Sequence, residues 1–472
     1  MLQTLKNAWN TKDIRSKIIF TFLILLLYRV GTVIPVPFVE AHDFASTLSG
    51  TILDYMNVLS GGSLGAMTLF ALGVQPYINA SIIIQLLAVV FPKLGELAKN
   101  DKKKMSFITR IVTVILAIVT AIGYYFLLLN SNALTKAATE GPVAWLYSIV
   151  IIVCYVAGAS LIMWLAERIN EKGIGNGISI ILFANIVASV PSFVYNLADL
   201  VINTYGYAKD AWIYATISTI FAIAFIAMLL ALIAVVIWFT GSERRIPIQY
   251  AKKVVGRKMY GGQSSNLPIK LNMTGVMPII FASSIVSFLP TVFQVLESAG
   301  AYDHESGWHT FAEIIGVNGV IYPIALFFLI IGFAYFYAQI TFDPMEVSNN
   351  LKRQGGAIPG IRQGRPTADY IKKILNKITL AGALFLAFIA LLPQILGPHV
   401  LKYFFAWIYE GMFVGTMYES IASSLALNYA NSLVSIFTFG GTTLLIVVGV
   451  AIETFRELEA QLTMRNYKGF LN

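Results

Sequence analysis

The feature that most limits what this chain can fold into is a succession of apolar segments. Each is close to the roughly 20 residues a helix needs to cross a bilayer core. Ten are legible: Ile18–Val36, Val74–Phe91, Phe107–Leu129, Val143–Ala166, Ile178–Leu200, Ala211–Phe239, Gly275–Val295, Gly319–Ile340, Ile378–Ile395 and Leu433–Ala451. A helix satisfies its own backbone polar groups in hydrocarbon, so these segments predict an all-α, multi-span membrane protein. Composition agrees, with 57% of the 472 residues hydrophobic and only 12% charged. A soluble chain with so few charges would be hard to keep in solution.

The connections fix an orientation. With the N-terminus in the cytoplasm, 29 of the 33 Lys and Arg lie on the cytoplasmic side. Lys136, Lys209 and Lys402 lie outside, and Arg29 sits within the first span. The acidic residues divide evenly, 12 and 12. A bias in Lys and Arg without one in Asp and Glu is the positive-inside pattern, and it puts both termini in the cytoplasm. Five spans precede the 201–210 loop and five follow it, which divides the chain into halves at 1–206 and 207–472. An odd number of spans per half gives the halves opposite orientations, as an inverted repeat requires. No residue-level similarity between the halves accompanies it.

The N-terminal stretch MLQTLKNAWNTKDIRSK lacks the apolar core and cleavage site of a secretory signal. Leu2, Leu5 and Trp9 recur at helical spacing, consistent with a helix along the membrane surface or with a solvated tail. The one cysteine, Cys154, excludes a disulfide within the chain.

Two cytoplasmic connections, about 241–272 and 342–373, are long, basic and rich in Gly and Pro. Gly261-Gly262, Gly355-Gly356, Pro359-Gly360 and Pro366 specify turns, which a disordered spacer does not need. Their charge suits an acidic protein surface, RNA or anionic lipid heads.

The membrane interior is as informative for what it lacks. Arg29 is the only clear charge within a span, so the side chains that couple ions to transport are missing. A small-solute secondary transporter with inverted repeats is the alternative reading, and it predicts a buried charged or strongly polar site that the spans do not contain. No filter-like carbonyl or carboxylate run appears either. His42, His304, His309 and His399 all lie in external segments without metal-ligand spacing. The EKGIGNGISI stretch follows a membrane helix rather than a strand, which rejects a dinucleotide site. Asn176 there is placed to cap the helix that starts at Ile178. No nucleophile–base pair is present, and neither an enzymatic activity nor a cofactor is expected. A membrane scaffold for RNA or ribosomes would account for the basic loops but not for the glycine-headed break at Gly73–Pro76, where Pro76 crowds the preceding turn.

Several stretches in order resemble the SecY family of bacterial protein-export channels. They are KIIFTFLILLLYRVGTVIPVPFV, FALGVQPYINASIIIQLL, GIGNGISIILFANIVAS, IQYAKKVVGRKMYGGQSSNLPIKLNMTGVMPIIFASS, NNLKRQGGAIPGIRQGRPTADY and FGGTTLLIVVGVAIETFRELEAQLTMRNYKGFL. The resemblance runs nearly end to end. It implies two inverted five-helix halves around a central pore that also opens sideways into lipid. It implies a plug half-helix at about 62–72, headed by the Gly61-Gly62 hinge, capped by Ser63 and carrying Leu64, Met67, Phe70 and Leu72. The pore ring it implies is Val74 and Ile78, Ile178 and Leu182, Ile280 and Ile446. The spacing of the first two pairs puts each on one helix face. An apolar ring can seal by dewetting and yield to a chain of any sequence. At the lateral gate, Asn79, Ser81 and Gln85 are expected to face Thr274 or Ser283.

The resemblance further makes the basic loops a docking platform for the motor ATPase SecA or for the ribosome. Arg244, Arg245, Lys252, Lys253, Arg257 and Lys258 are expected at the first tip, and Lys352, Arg353, Arg362 and Arg365 on the second loop. Gln363 stands where the family pattern GIRPG has Pro, which predicts a looser loop around Arg362. SecE and SecG are the implied small membrane partners, and an unfolded polypeptide is the implied substrate. The segment 397–431 is longer than the family leads one to expect and reads as an external insertion, either an interfacial helix or a re-entrant cap.

Overall fold

The computed structural model describes residues 2–40, 52–139, 143–207, 212–250, 253–255, 258–260, 264–298, 300, 307–316, 319, 321–396 and 441–469. The external insertion 397–431, His42, His304, His399, Lys209 and Lys402 lie outside the described residues, as does the start of the tenth predicted span.

Ten long helices stand at the ten predicted spans. They are α1 (Lys12–Gly31), α2 (Gln75–Val90), α3 (Lys102–Asn130), α4 (Ala144–Lys172), α5 (Gly177–Tyr207), α6 (Trp212–Gly241), α7 (Met277–Ser298), α8 (Ile321–Thr341), α9 (Arg365–Leu396) and α10 (Thr442–Gly469). Helices α3 to α9 are each long and apolar enough to cross a membrane unaided. α2 is shorter, and the chain turns by 118° into a second helix, Pro92–Asn100. The break sits at Phe91, which is extended (φ −103°, ψ 108°) because the following Pro92 disfavours helical backbone there. α1 and α10 carry charged residues at the ends expected to be cytoplasmic, so only part of each is apolar. Several helices outrun the predicted spans on that side, α3 from Lys102, α4 to Lys172 and α10 to Gly469.

The packing divides the bundle. In the N-terminal half α1 packs on α4, α2 on α3, and α3 on α4. In the C-terminal half α7 packs on α8, α8 on α9, and α6 on α10. The halves meet along two seams. On one, α5 lies against α6 and α10; on the other, α7 lies against α2 and α3. The second seam is tight. A side chain at Gly123 of α3 would meet Val295 of α7 at 2.9 Å. A single apolar core runs through both halves, so they are closed on one another.

The two long basic connections form their own layer. β1 (Glu243–Tyr250) pairs antiparallel with β4 (Ser264–Lys270), from Glu243↔Lys270 to Gln249↔Ser264. Between them β2 (Lys253–Val255) and β3 (Lys258–Tyr260) make a small hairpin. β5 (Gly356–Ala357), from the other basic loop, adds to the free edge of β1 through Gln249↔Ala357 and Tyr250↔Gly356. Alternation along β1 turns Ile246 and Ile248 inward. They pack with Ile269, Leu351, Ile358 and Leu375 into a second, smaller core. The turn-rich punctuation of both loops therefore builds one sheet.

At the N-terminus, Leu2–Asn10 is a helix. Ala8 is buried with Ile14, Ile174 and Leu458, while Trp9 is exposed. Lys17 Nζ donates to Gln461 Oε1 at 3.1 Å and holds the start of α1 on α10.

Candidate functional site

Six aliphatic positions on four helices define the middle of the bundle. Val74 precedes α2 and Ile78 lies within it; Ile178 and Leu182 are on α5, Ile280 on α7 and Ile446 on α10. Val74, Ile78, Leu182, Ile280 and Ile446 each keep no more than 2% of their surface exposed. Ile178 is half-buried and packs on the same core. The six expected ring positions thus come from both halves into one buried apolar cluster. Helix α5 begins here because Asn176 Oδ1 accepts from the Ile178 amide at 3.1 Å, as its position predicts.

The segment before α2 lies against that interior. Its helix is not at 62–72 but just upstream, at Ile52–Leu59, and 60–74 is a run of turns. The cause is local: Gly61 (φ 70°), Gly62 (φ 86°) and Gly73 (φ 57°) take left-handed backbone at the segment's ends and Met67 (φ 50°) does so within it, which interrupts a helix. Capping also differs from expectation. Ser63 Oγ is buried without a hydrogen-bond partner, whereas Ser60 Oγ accepts from the Leu64 amide at 3.2 Å. Asn57 Oδ1 accepts from the Gly65 amide at 2.8 Å. Ser63, Leu64, Met67, Phe70 and Leu72 are all buried.

This plug segment is gripped mainly by the N-terminal half. Leu69 N donates to Ile34 O at 2.9 Å and Val36 N to Met67 O at 3.2 Å, which joins it to the chain leaving α1. Phe70 stacks on Tyr28 with centroids 5.2 Å apart, over Gly31. Gly158 of α4 leaves room for the Leu69 carbonyl, and any side chain there would strike it. At the hinge, Asn185 Nδ2 donates to Tyr28 Oη at 2.9 Å and to Leu59 O at 2.8 Å. Arg29 Nη1 reaches Gly61 O at 3.3 Å.

The upstream helix Ile52–Leu59 also touches the other half. Met56 Sδ accepts from Tyr124 of α3 at 3.8 Å and from Thr291 of α7 at 3.7 Å. Thr442 of α10 donates to Tyr55 Oη at 3.4 Å. None of Tyr28, Tyr55, Met56, Tyr124, Asn185, Thr291 or Thr442 was singled out by the sequence. Asn185, a lone amide inside LFANIVAS, is the one whose signal was there to read.

The gate seam carries polar side chains, paired differently from expectation. Gln85 Nε2 donates to Ser81 Oγ at 2.9 Å, and Gln85 Oε1 accepts from Tyr337 Oη of α8 at 2.7 Å. Thr274 instead bonds Asn272 within its own loop (3.4 Å), and Ser283 donates back to Ile280 O (3.0 Å). Asn79 is half-buried on α2. Tyr337 takes the opposing position because it is long enough to cross the seam, with its ring set edge-on to Phe281 at 5.2 Å.

In the layer built by the basic connections, Arg244 and Arg245 are not at the tip. They lie at the base of β1, opposite Ile269 and Pro268, and Arg245 pairs with Glu243 at 2.7 Å. Antiparallel pairing from Glu243 onward forces this, and the tip belongs to β2–β3, which carries Lys253 and Lys258. Lys252 and Arg257 lie outside the described residues. On the second loop, Asp343 caps the helix Pro344–Arg353 by accepting from Met345 N at 2.8 Å. Lys352, Arg353, Arg362 and Arg365 are exposed. The loop around Arg362 is not loose. Gln363 Nε2 donates to Gly356 O at 3.1 Å, and Ser348 Oγ to Gly364 O at 2.7 Å. At the edge of this layer, burial and then the nearby Arg456 guanidinium push the Lys270 pKa down.

Ten long helices in two halves that close on one apolar core, with a segment of turns buried in that core ahead of α2, are the build of a multi-pass membrane protein. The sequence profile described as SecY matches residues 68–455, and the chain belongs to the SecY family. It is 38% identical over 485 residues to the protein translocase subunit SecY of Streptomyces galbus, covering 100% of both chains. It is 36% identical over 485 residues to that of Mycobacterium bovis, again covering 100% of both. Among solved structures it is similar to one described as a protein conducting channel, with TM-score 0.58 and 18% identity, covering 94% of this chain and 92% of that one. It is also similar to Sec61 in the canine ribosome–channel complex from the endoplasmic reticulum, with TM-score 0.55 and 17% identity at the same coverage.

Proposed function

We propose that this chain is the channel-forming subunit of a protein translocase. It passes unfolded polypeptides through the ring and releases apolar segments sideways into lipid between α2/α3 and α7/α8. The observation that carries this reading is the buried aliphatic ring drawn from both halves, with the plug segment seated beside it. Such a ring excludes ions and water when closed. It offers no fixed charge to select among side chains, which suits a substrate whose sequence varies at every position.

The chain has no driving force of its own in this reading. SecA or a translating ribosome docks on the exposed cations of the cytoplasmic sheet and supplies the energy, and ribosomal RNA binding there weakens with salt. SecE and SecG are the small membrane partners. The membrane is the bacterial plasma membrane, with both termini in the cytoplasm, in line with the Lys and Arg distribution.

The test is a crosslinking trap. A photoreactive residue is placed at Ile78 or Ile280 in vesicles containing SecA and ATP, and a secretory precursor is stalled midway. Adducts that need both precursor and ATP are expected. Silence at both positions, with adducts only from the basic loops, would leave a docking protein without a pore.

A further inference from the structure

The closed interior holds polar atoms that nothing satisfies. Ser63 Oγ on the plug, Gln75 Oε1 at the start of α2, and Ser179 Oγ and Asn185 Oδ1 on α5 are buried without a hydrogen-bond partner. Ser63, Ser179 and Asn185 are almost fully buried as whole residues. Such orphans cost free energy wherever they occur and call for an explanation. Thr135 Oγ1 and Gln394 Oε1 share this state elsewhere, but these four lie on α2 and α5, which carry Ile78, Ile178 and Leu182, and on the segment packed against them.

Gln75 is the most telling. It lies between the ring residues Val74 and Ile78. It lines a small cavity together with Leu59, Ser60, Leu72, Val74 and Leu182, between the plug segment and the ring. Withdrawal of the plug would widen that cavity into the pathway, with the Gln75 acceptor at its wall. What passes there varies in side chains, but every residue except proline brings a backbone N–H. A neutral acceptor beside an apolar ring is therefore the one polar contact that serves any substrate. A charged one would hold some substrates and repel others.

We propose that Gln75 is a binding residue for the backbone of the translocating polypeptide, its Oε1 held without a partner in the closed state and accepting from chain N–H groups once the plug leaves. This rests on the channel reading above. One hydrogen bond's net worth converts to about a three- to tenfold effect on a rate or occupancy.

The experiment uses the full complex in vesicles with a stalled precursor. Photoreactive residues are placed singly at positions 75 and 78, and the transit rate and resting ion leak of Gln75→Met are measured alongside. The expected result is a precursor adduct at both positions and transit slowed about three- to tenfold in Gln75→Met. An adduct at 78 without one at 75 overturns the proposal and leaves the channel reading standing. So does a Gln75→Met variant with unchanged transit and a lower ion leak, which would assign the acceptor to water. No adduct at 75 or 78, together with silence at Ile280, removes the channel reading and this proposal with it.

Discussion

Around the ring, Val74, Ile78, Leu182, Ile280 and Ile446 are buried and uncharged, drawn from helices far apart in sequence. Beside the sheet built by the two basic connections, Lys352, Arg353, Arg362 and Arg365 are exposed and lie within one connection. The two regions also differ in what fixes them. The sheet is pinned by local hydrogen bonds, such as Gln363 to Gly356 and Ser348 to Gly364. The proposed ring lies where the two halves fit together, and the gate seam beside it is crossed by the Tyr337–Gln85 hydrogen bond. Interhelical hydrogen bonds in lipid contribute only about 0.6–2 kcal/mol each. A rigid charged surface suits a partner that must bind in one orientation. A weakly latched apolar seam suits a barrier that must part and reseal.

The largest expected effect strikes the ring. Ile280→Lys places a charge where insertion scales put the cost at about 2.5–3.5 kcal/mol. The resting channel should leak ions, measured as conductance in planar bilayers, while SecA binding to the vesicles stays unchanged. Loss of SecA binding in that variant would show that the two regions are not separable. Arg362→Glu is the converse. It should weaken motor docking on the order of tenfold, more at low salt than at high, and leave conductance alone.

Asn185→Leu follows. It strips the donors from Tyr28 Oη and Leu59 O, and each buried group left unpaired costs about 1–3 kcal/mol. The plug should leave its seat more often. A cysteine introduced at Leu64 in a Cys154→Ser background should then react faster with a thiol reagent supplied from outside. Unchanged labelling would mean that the Leu69–Ile34 and Val36–Met67 backbone pairs hold the plug alone.

Most of the architecture was legible because membrane solvation imposes a length and a charge rule that act on single segments. The spans, their order and the basic loops each follow from residues close together in the chain. The plug was only half legible. Apolar composition placed Leu64, Met67 and Phe70 indoors, yet the backbone at Gly61, Gly62 and Gly73 decided that they would sit in turns. Glycine tells where a chain can bend but not which of two flanking stretches stays helical. Pairings across helices were least legible. Tyr337 meets Gln85 across 252 residues of sequence, and Asn185 meets Tyr28 across 157. No spacing rule connects such residues, since only the packed halves bring them together.

Tyr337→Phe tests the gate side at a smaller scale. It keeps the ring packed on Phe281 and removes only the hydroxyl, a loss of about 0.6–2 kcal/mol. A distance probe between α2 and α8 should report a larger open population, and Gln85→Leu should reproduce it. If Tyr337→Phe has no effect while Gln85→Leu opens the seam, the Ser81–Gln85 bond within α2 matters more than the bond across it.

The smallest effect belongs to the platform. Gln363→Ala frees the Gly356 carbonyl at a cost of about 1 kcal/mol, and that carbonyl lies at the edge of the sheet. Cleavage by thermolysin before Ile361 should quicken several-fold, with no change in ion conductance. Gln363→Pro separates the two ways of holding this turn. Proline offers no side-chain donor but limits the backbone of the unfolded and folded loop alike. If it restores resistance to thermolysin at Ile361, chain stiffness is what presents Arg362, and the glutamine supplies that stiffness by a hydrogen bond. If it does not, the tie to Gly356 O is itself required, because it is what holds β5 and the Arg362 turn together.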